Sequence, residues 1–538
     1  MYPITNQYAG YTVTECLLPM GDGVKLYTRI TVPAGVSKGP TVFIRTPYEA
    51  AHNGVAHEGI TQEMQRFISR GYCLVQQHCR GRGDSEGVCV PYVERQDGLD
   101  SLSHIRNMTH YNGEIFLYGG SYLSTVHLCY LDTLQPDVKG AVLSIQTDRM
   151  FFRNYRNGCC FDFCNFDWWL RMLSRQFPEP KRENALIRPY RDIMRRALGE
   201  DYPPYTDLLM HDQYDDFWEN DPRTHAVENL RIPVLFVEGW YDFYLEGMFS
   251  MWERLPENTR ARSAFLVGPW GHGTSVSEDA QYPLEHGNIP DDWAVAWFDR
   301  LRDGANRTYP YGKLGQITYY SIGEDCWKQS PGLPEPRRGQ TYWFGDAGKL
   351  CAGPVEAGSV ATYTYDPEKR LNCFHYQNIW RAEEPGTVKG VISFLSEPFR
   401  EQRSFFGKIR WHMAVQSDCE DTAFFIRLYF VDDTGAYNLT ETITSLSYLY
   451  KDYLPGETVV IDLDTPPVGF GVKQGGRLRV DISSDGGVYV PHANYKGHWA
   501  VVEQTRIAHN TLCLDQSFIE LVWNEQNGES TAIFTLGL

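Results

Sequence analysis

The residues Phe116-Leu117-Tyr118-Gly119-Gly120-Ser121-Tyr122-Leu123-Ser124 carry an apolar stretch into a small-residue corner bearing one hydroxyl, then into an amphipathic segment through His127, Leu128 and Leu131. A serine at such a strand-to-helix corner is held with its oxygen exposed, and glycines beside it keep the neighbouring backbone clear. Two later runs end in groups that could serve it. Ile232-Pro233-Val234-Leu235-Phe236-Val237 reads as a short strand ending in Glu238-Gly239-Trp240-Tyr241-Asp242, and Ala264-Phe265-Leu266-Val267 as another ending in Gly268-Pro269-Trp270-Gly271-His272-Gly273. A serine hydroxyl is a poor nucleophile at neutral pH, so it needs an imidazole to take its proton and a carboxylate to fix that imidazole's tautomer. Ser121, His272 and Asp242 supply those types, and the chemistry they point to is acyl transfer.

The strict Gly-x-Ser-x-Gly string lies elsewhere, at Gly83-Asp84-Ser85-Glu86-Gly87. It follows the charged, flexible Arg80-Gly81-Arg82 and is soon followed by Pro91, so no strand enters its turn and no helix leaves it. Ser85 is therefore placed in a surface or domain-contact loop, and Ser121 is the candidate nucleophile. The chain order serine, aspartate, histidine is that of α/β-hydrolases and differs from the other serine-protease arrangements.

These residues resemble the CocE/NonD hydrolases, which include cocaine esterase-like enzymes, α-amino acid ester hydrolases, glutaryl acylases and relatives of X-prolyl dipeptidyl peptidase. Gly119-Gly120-Ser121-Tyr122-Leu123-Ser124 is similar to the family's Gly-x-Ser-Tyr-x-Gly, Gly239 to Asp242 to its Gly-Trp-Tyr-Asp, and Gly268 to His272 to its Gly-Pro-Trp-x-His. Arg45-Thr46-Pro47-Tyr48 resembles the segment supplying an oxyanion-binding tyrosine, and Arg80 to Gly87 the family's arginine-glycine loop. The resemblance runs nearly end to end, with two departures. Ser124 stands where the family has glycine, and His78 where an aspartate precedes the arginine-glycine loop, which puts any salt bridge made there in doubt.

The resemblance implies an oxyanion hole formed by the Tyr122 backbone N–H and the Tyr48 phenol, and a substrate pocket drawing on Trp240, Trp270, Phe243 and Tyr244. It implies a serine hydrolase acting on an ester, amide or short peptide through an acyl-enzyme on Ser121. Dipeptidyl-peptidase and β-lactam acylase activities use the same triad and stay open. A reading from another class is a non-catalytic binding protein that recognises its ligand through a β-sandwich. Phe243, Tyr244 and Leu245 follow Asp242 where the amino acid ester hydrolases have acids for a substrate ammonium, which favours a neutral acyl group unless Asp148, Asp162 or Asp167 supplies a carboxylate from another direction.

The elements that must position these groups are legible in outline. With 538 residues, 42% of them hydrophobic, the chain can bury large cores and divides into more than one domain. Residues 1–145 and 228–313 read as two parts of an α/β-hydrolase core, opened by a hairpin around Asp22-Gly23 and closed by a helix around Trp293 to Leu301. Residues 146–227 read as a helical cap rich in aromatics. Residues 314–538, with strand-like runs at Gln316–Tyr320, Ala423–Phe430 and Arg477–Ile482, read as a jelly-roll β-sandwich.

A net charge of -18 and the lack of a Lys/Arg cluster argue against nucleic acid and anionic membrane as partners. The amino terminus lacks a secretory pattern and no apolar run is long enough to span a membrane, so the cytoplasm is the default location. Thirteen cysteines, an odd number, read as reduced thiols. Cys159, Cys160 and Cys164 lack the spacing of a zinc site, and no metal or cofactor is expected. Homo-oligomerisation is left open.

Overall fold

An eleven-stranded mixed sheet gathers the chemistry-bearing loops along one edge. The computed structural model describes residues 3–48, 61–161, 166, 168–174, 186–304, 308–335, 339–371 and 378–524. The sheet opens with β1 (Ile4–Tyr8), β2 (Tyr11–Pro19) and β3 (Lys25–Pro33), an antiparallel series. It continues through β4 (Gly39–Thr46), β5 (Cys73–His78), β6 (Tyr111–Gly120) and β7 (Val138–Ser144) in the spatial order β3-β5-β4-β6-β7. The strands Val234–Gly239, Ala264–Gly268 and Ile317–Ser321 extend it in parallel, and Cys326–Ser330 closes it antiparallel.

Central strands of this kind are covered on both faces and therefore read as unbroken apolar runs. Val42-Phe43-Ile44, Ile115-Phe116-Leu117 and Leu235-Phe236-Val237 are all buried. Helix α1 (Gln62–Ser69) is started by the Thr61 hydroxyl, which accepts from the Met64 N–H, and buries Met64, Phe67 and Ile68 at helical spacing. Phe67 meets Phe298 of the helix Trp293–Asp303, and Phe298 also touches Tyr72 and Phe116. The helix Leu245–Arg254 covers the strands beyond with Phe249 and Trp252 against Phe265. Because β4, β6, Val234–Gly239 and Ala264–Gly268 run parallel, their carboxyl ends share an edge, where ligand crevices of open α/β sheets form.

The cap has its own core, in which Phe151, Tyr155, Trp169, Tyr190, Ile193, Tyr205 and Trp218 pack together with Ala500 of the all-β region. It is not wholly helical, since Tyr155–Arg156 and Cys159–Cys160 form a short antiparallel pair. Cys159 and Cys160 are buried in that pair, and Cys164 lies outside the described residues.

The all-β region is built around the long strand Ala508–Leu521, which pairs with Gln340–Gly345, Val360–Tyr365 and Arg410–Ser417. Ala423–Val431 lies between Ala436–Ser445 and Arg477–Ser483 in the same ten-stranded sheet. One element is reassigned. The strand expected at Gln316–Tyr320 to open the sandwich is instead a strand of the hydrolase sheet, paired with Ala264–Gly268. A short aromatic strand followed by a Gly-Glu-Asp turn has the same pattern in either sheet, so only its partner tells them apart. No helix among the described residues is long and apolar enough to cross a membrane.

Candidate active site

Ser121 follows the last residue of β6 and precedes α2 (Tyr122–Leu128) with φ 54° and ψ -129°, a conformation that residues other than glycine rarely adopt. The corner is closed by tight backbone packing. A Cβ on Gly119 would stand 2.2 Å from the Leu123 carbonyl oxygen, so only glycine lets the helix start so near the strand. Ser124, where a glycine was expected, earns its place by bonding: its hydroxyl donates to the Gly119 carbonyl (2.6 Å) and accepts from the Ser144 N–H (3.1 Å). The Gln146 amide donates to the Ser121 carbonyl (3.1 Å). Sequence reasoning missed Gln146, whose signal exists only in three dimensions.

The three candidate residues converge. His272 Nε2 lies 2.8 Å from Ser121 Oγ, and His272 Nδ1 lies 2.7 Å from Asp242 Oδ2. Asp242 Oδ1 accepts from the Tyr244 N–H (2.9 Å), and its side chain is fully buried while the imidazole stays partly open. Backbone bonds from Trp240 N to Gly268 O and from Tyr241 N to Trp270 O, each 2.9 Å, fix the two loops against each other. Burial, reinforced by the neighbouring Asp242 charge, pushes the Glu238 carboxyl well above the usual carboxylate range. Such an arrangement can move a proton from Ser121 to His272 and hold the resulting cation.

Tyr48 lies at the end of β4, half-buried, beside Tyr92, Tyr122 and Trp168. Its phenol oxygen accepts from the Trp168 indole N–H at 3.5 Å. The Tyr122 phenol is buried away from the corner, donating to Glu94 (3.2 Å) and accepting from the Tyr92 N–H (2.8 Å). Its backbone N–H opens α2, in the first turn where helix amides lack an intrahelical acceptor.

The expected pocket residues separate. Phe243 stacks on the His272 ring (5.0 Å, 22°), with Tyr244 behind it at 5.7 Å. The Tyr244 phenol accepts from Arg153 Nε (3.0 Å). Trp240 donates its indole N–H to the Tyr320 carbonyl and, with Asp242 and Phe243, walls a cavity of about 60 Å³ shared with Arg427 and Asn438 of the all-β region. Trp270 is corrected from a pocket residue to an anchor: it is fully buried, bonded to the Gly287 carbonyl and packed on Trp327. An indole one residue from a catalytic-type loop can face either way, and here the missing side chain at Gly268 draws it inward.

Ser85 is buried and its hydroxyl is used up, accepting from the Tyr27 N–H (2.9 Å) and donating to the His78 carbonyl (3.0 Å). Its loop does lie at the surface, with Asp84, Glu86 and Gly87 exposed, but the Ser85 hydroxyl is turned inward. His78 packs on the Tyr27 ring, and the arginine-glycine loop draws its charge partners from elsewhere, with Arg80 paired to Asp97 (2.6 Å) and Asp22 (2.8 Å). Of the acids considered for an ammonium, Asp148 is fully buried against Arg254 (2.5 Å), burial holding its pKa up at about 6. Asp162 and Asp167 lie outside the described residues.

Comparison with known proteins agrees with this layout. Residues 22–274 match the X-Pro dipeptidyl-peptidase (S15 family) model, and residues 304–518 match the X-Pro dipeptidyl-peptidase C-terminal non-catalytic domain. The chain is 22% identical to cocaine esterase of Rhodococcus sp. (strain MB1 Bresler), over 88% of this chain and 90% of that protein. Among solved structures, an aminopeptidase from a marine sediment Thaumarchaeota archaeon superposes with a TM-score of 0.83 at 20% identity, covering 98% of each chain. An α-amino acid ester hydrolase superposes with a TM-score of 0.81 at 20% identity, covering 97% of this chain and 98% of the other.

Proposed function

The chain belongs to the X-Pro dipeptidyl-peptidase (S15) family of serine hydrolases and acts on an ester or peptide-type bond, and from that premise we propose that it is an esterase for neutral, largely apolar acyl groups. The observation that carries the reading is His272 bonded to both Ser121 Oγ and Asp242, with the uncharged Phe243 ring stacked on it.

In this mechanism His272 Nε2 takes the Ser121 proton as Oγ attacks the acyl carbon, and Asp242 keeps the other ring nitrogen protonated and stabilises the imidazolium. The carbonyl oxygen, now an oxyanion, receives hydrogen bonds from the Tyr122 N–H and the Tyr48 O–H. Trp168 supports the second donor, because an N–H on the phenol's lone pair occupies an acceptor position and orients the hydroxyl without using its proton. The imidazolium then protonates the leaving alcohol, and water repeats the sequence in reverse to release the acid.

An ester is favoured over a peptide with a free amino terminus because an ammonium beside Phe243 and Tyr244 would lose hydration, and Asp148, the one described acid of the three considered for it, is committed to Arg254. Two measurements test the reading. A fluorophosphonate should label the protein, and labelling should vanish in Ser121→Ala. The p-nitrophenyl ester of 3-phenylpropanoate should be cleaved with kcat/KM about tenfold above that of its α-amino analogue. A tenfold preference for the amino form would overturn the assignment of substrate while leaving the nucleophile in place.

A further inference from the structure

Arg82 sits in the arginine-glycine loop, and its guanidinium is fully buried. Its Nε donates to the Pro47 carbonyl (2.6 Å) and its Nη1 to the Met172 carbonyl (3.1 Å), while Nη2 is buried with no acceptor among the described residues. Among the described residues no carboxylate lies within ion-pair distance of it, in contrast to Arg80 two positions earlier. A buried cation without a counter-charge is costly, and a methionine of similar length would fill the space without that cost. What the guanidinium does that an apolar chain cannot is grip two carbonyls at once with a planar fork.

Those carbonyls join two parts of the site. Pro47 precedes Tyr48, and Met172 belongs to the cap helix Trp168–Ser174, whose first residue donates to the Tyr48 phenol. The fork therefore ties the backbone turn under Tyr48 to the element that orients its hydroxyl. Met172 also lies in the last turn of that helix, where carbonyls point outward and favour a cation.

We propose that Arg82 is a positioning residue for the oxyanion hole, locking the Tyr48 turn to the cap so that the phenol donor is in place only when the cap helix is docked. The proposal rests on the reading of Tyr48 as an oxyanion donor. It does not place Arg82 in contact with substrate.

The test is a double-mutant cycle on hydrolysis of p-nitrophenyl butyrate. Tyr48→Phe should lower kcat about 100-fold, the usual loss for one oxyanion donor. Arg82→Met should lower kcat about 30-fold with KM changed less than about threefold, because the defect is felt in the transition state. In the Tyr48→Phe background, Arg82→Met should cost no more than about a further twofold, since no phenol remains to be positioned. Arg82→Lys, which keeps the charge but loses the fork, should fall between Arg82→Met and the parent. If the two losses multiply, or if folded Arg82→Met keeps its kcat, Arg82 is a packing residue and the proposal fails while the Tyr48 reading stands. Full activity in Tyr48→Phe overturns both. Should Arg82→Met not fold, Arg82→Lys carries the same cycle with the same outcomes.

Discussion

Two glycine-flanked serines in this chain meet opposite fates. Ser85 matches the strict nucleophile pattern, yet its hydroxyl is buried and holds two backbone groups, one on Tyr27 and one on His78. Ser121 departs from the pattern at its last position, yet its hydroxyl faces His272 from a strained corner. The difference lies in what each hydroxyl has left to give. A nucleophile must have its oxygen bonded to a base and to little else, and that condition comes from a strand entering and a helix leaving the turn. Ser85 has neither, so its loop closes on itself and uses the hydroxyl as a rivet.

The sharpest way to break this comparison is to remove each hydroxyl and measure turnover. Ser121→Ala or His272→Ala should reduce kcat by at least about 10⁴-fold, since members of such a unit fail together. Ser85→Ala should keep kcat within about threefold of the parent. The reverse pattern would assign the chemistry to the wrong loop. A smaller effect tests the geometry of the corner. Gly119→Ala drives a methyl into the Leu123 carbonyl, with backbone on both sides, and should destabilise the protein by about 2–3 kcal/mol in urea melts. Its kcat should fall about tenfold as Ser121 shifts relative to His272. Unchanged stability would mean that the corner is looser than its contacts imply. Smallest of all, Ser85→Ala should cost about 1–2 kcal/mol in the same melts, because it removes the buried hydroxyl that bonds both the Tyr27 N–H and the His78 carbonyl. A neutral result there would remove the structural role given to that hydroxyl.

The sequence carried the site further than it carried the site's surroundings. Ser121, Asp242 and His272 were legible because each ends an apolar run of strand type, and parallel strands bring such ends to one edge. Side-chain direction was not legible. Trp240 and Trp270 flank the same loops, yet their indoles find carbonyls at Tyr320 and Gly287, contacts across long sequence separation that no local pattern encodes. The same limit applied to Ile317–Ser321, whose alternation fits either sheet and whose partner is chosen only when Ala264–Gly268 offers its open edge. Arg82 was visible as part of a motif, but its role depends on Met172, ninety residues away, which only the folded cap delivers.

That last strand has a consequence for how the molecule is held as one piece. After Ser321 the chain does not leave the hydrolase sheet cleanly: Ile322 forms a parallel bridge to Phe470, with Ile322 N donating to Gly469 O (3.0 Å) and Gly471 N to Ile322 O (2.7 Å). The seam between the regions is therefore backbone hydrogen bonding and not only side-chain contact. A chain cut before Ile317 would leave Ala264–Gly268, the strand that delivers His272, as a raw parallel edge open to pairing with any neighbour. His272 is thus held in place by residues well beyond its own strand, and a division of the chain that keeps the imidazole anchored must leave Ile317–Ser321 with the hydrolase sheet.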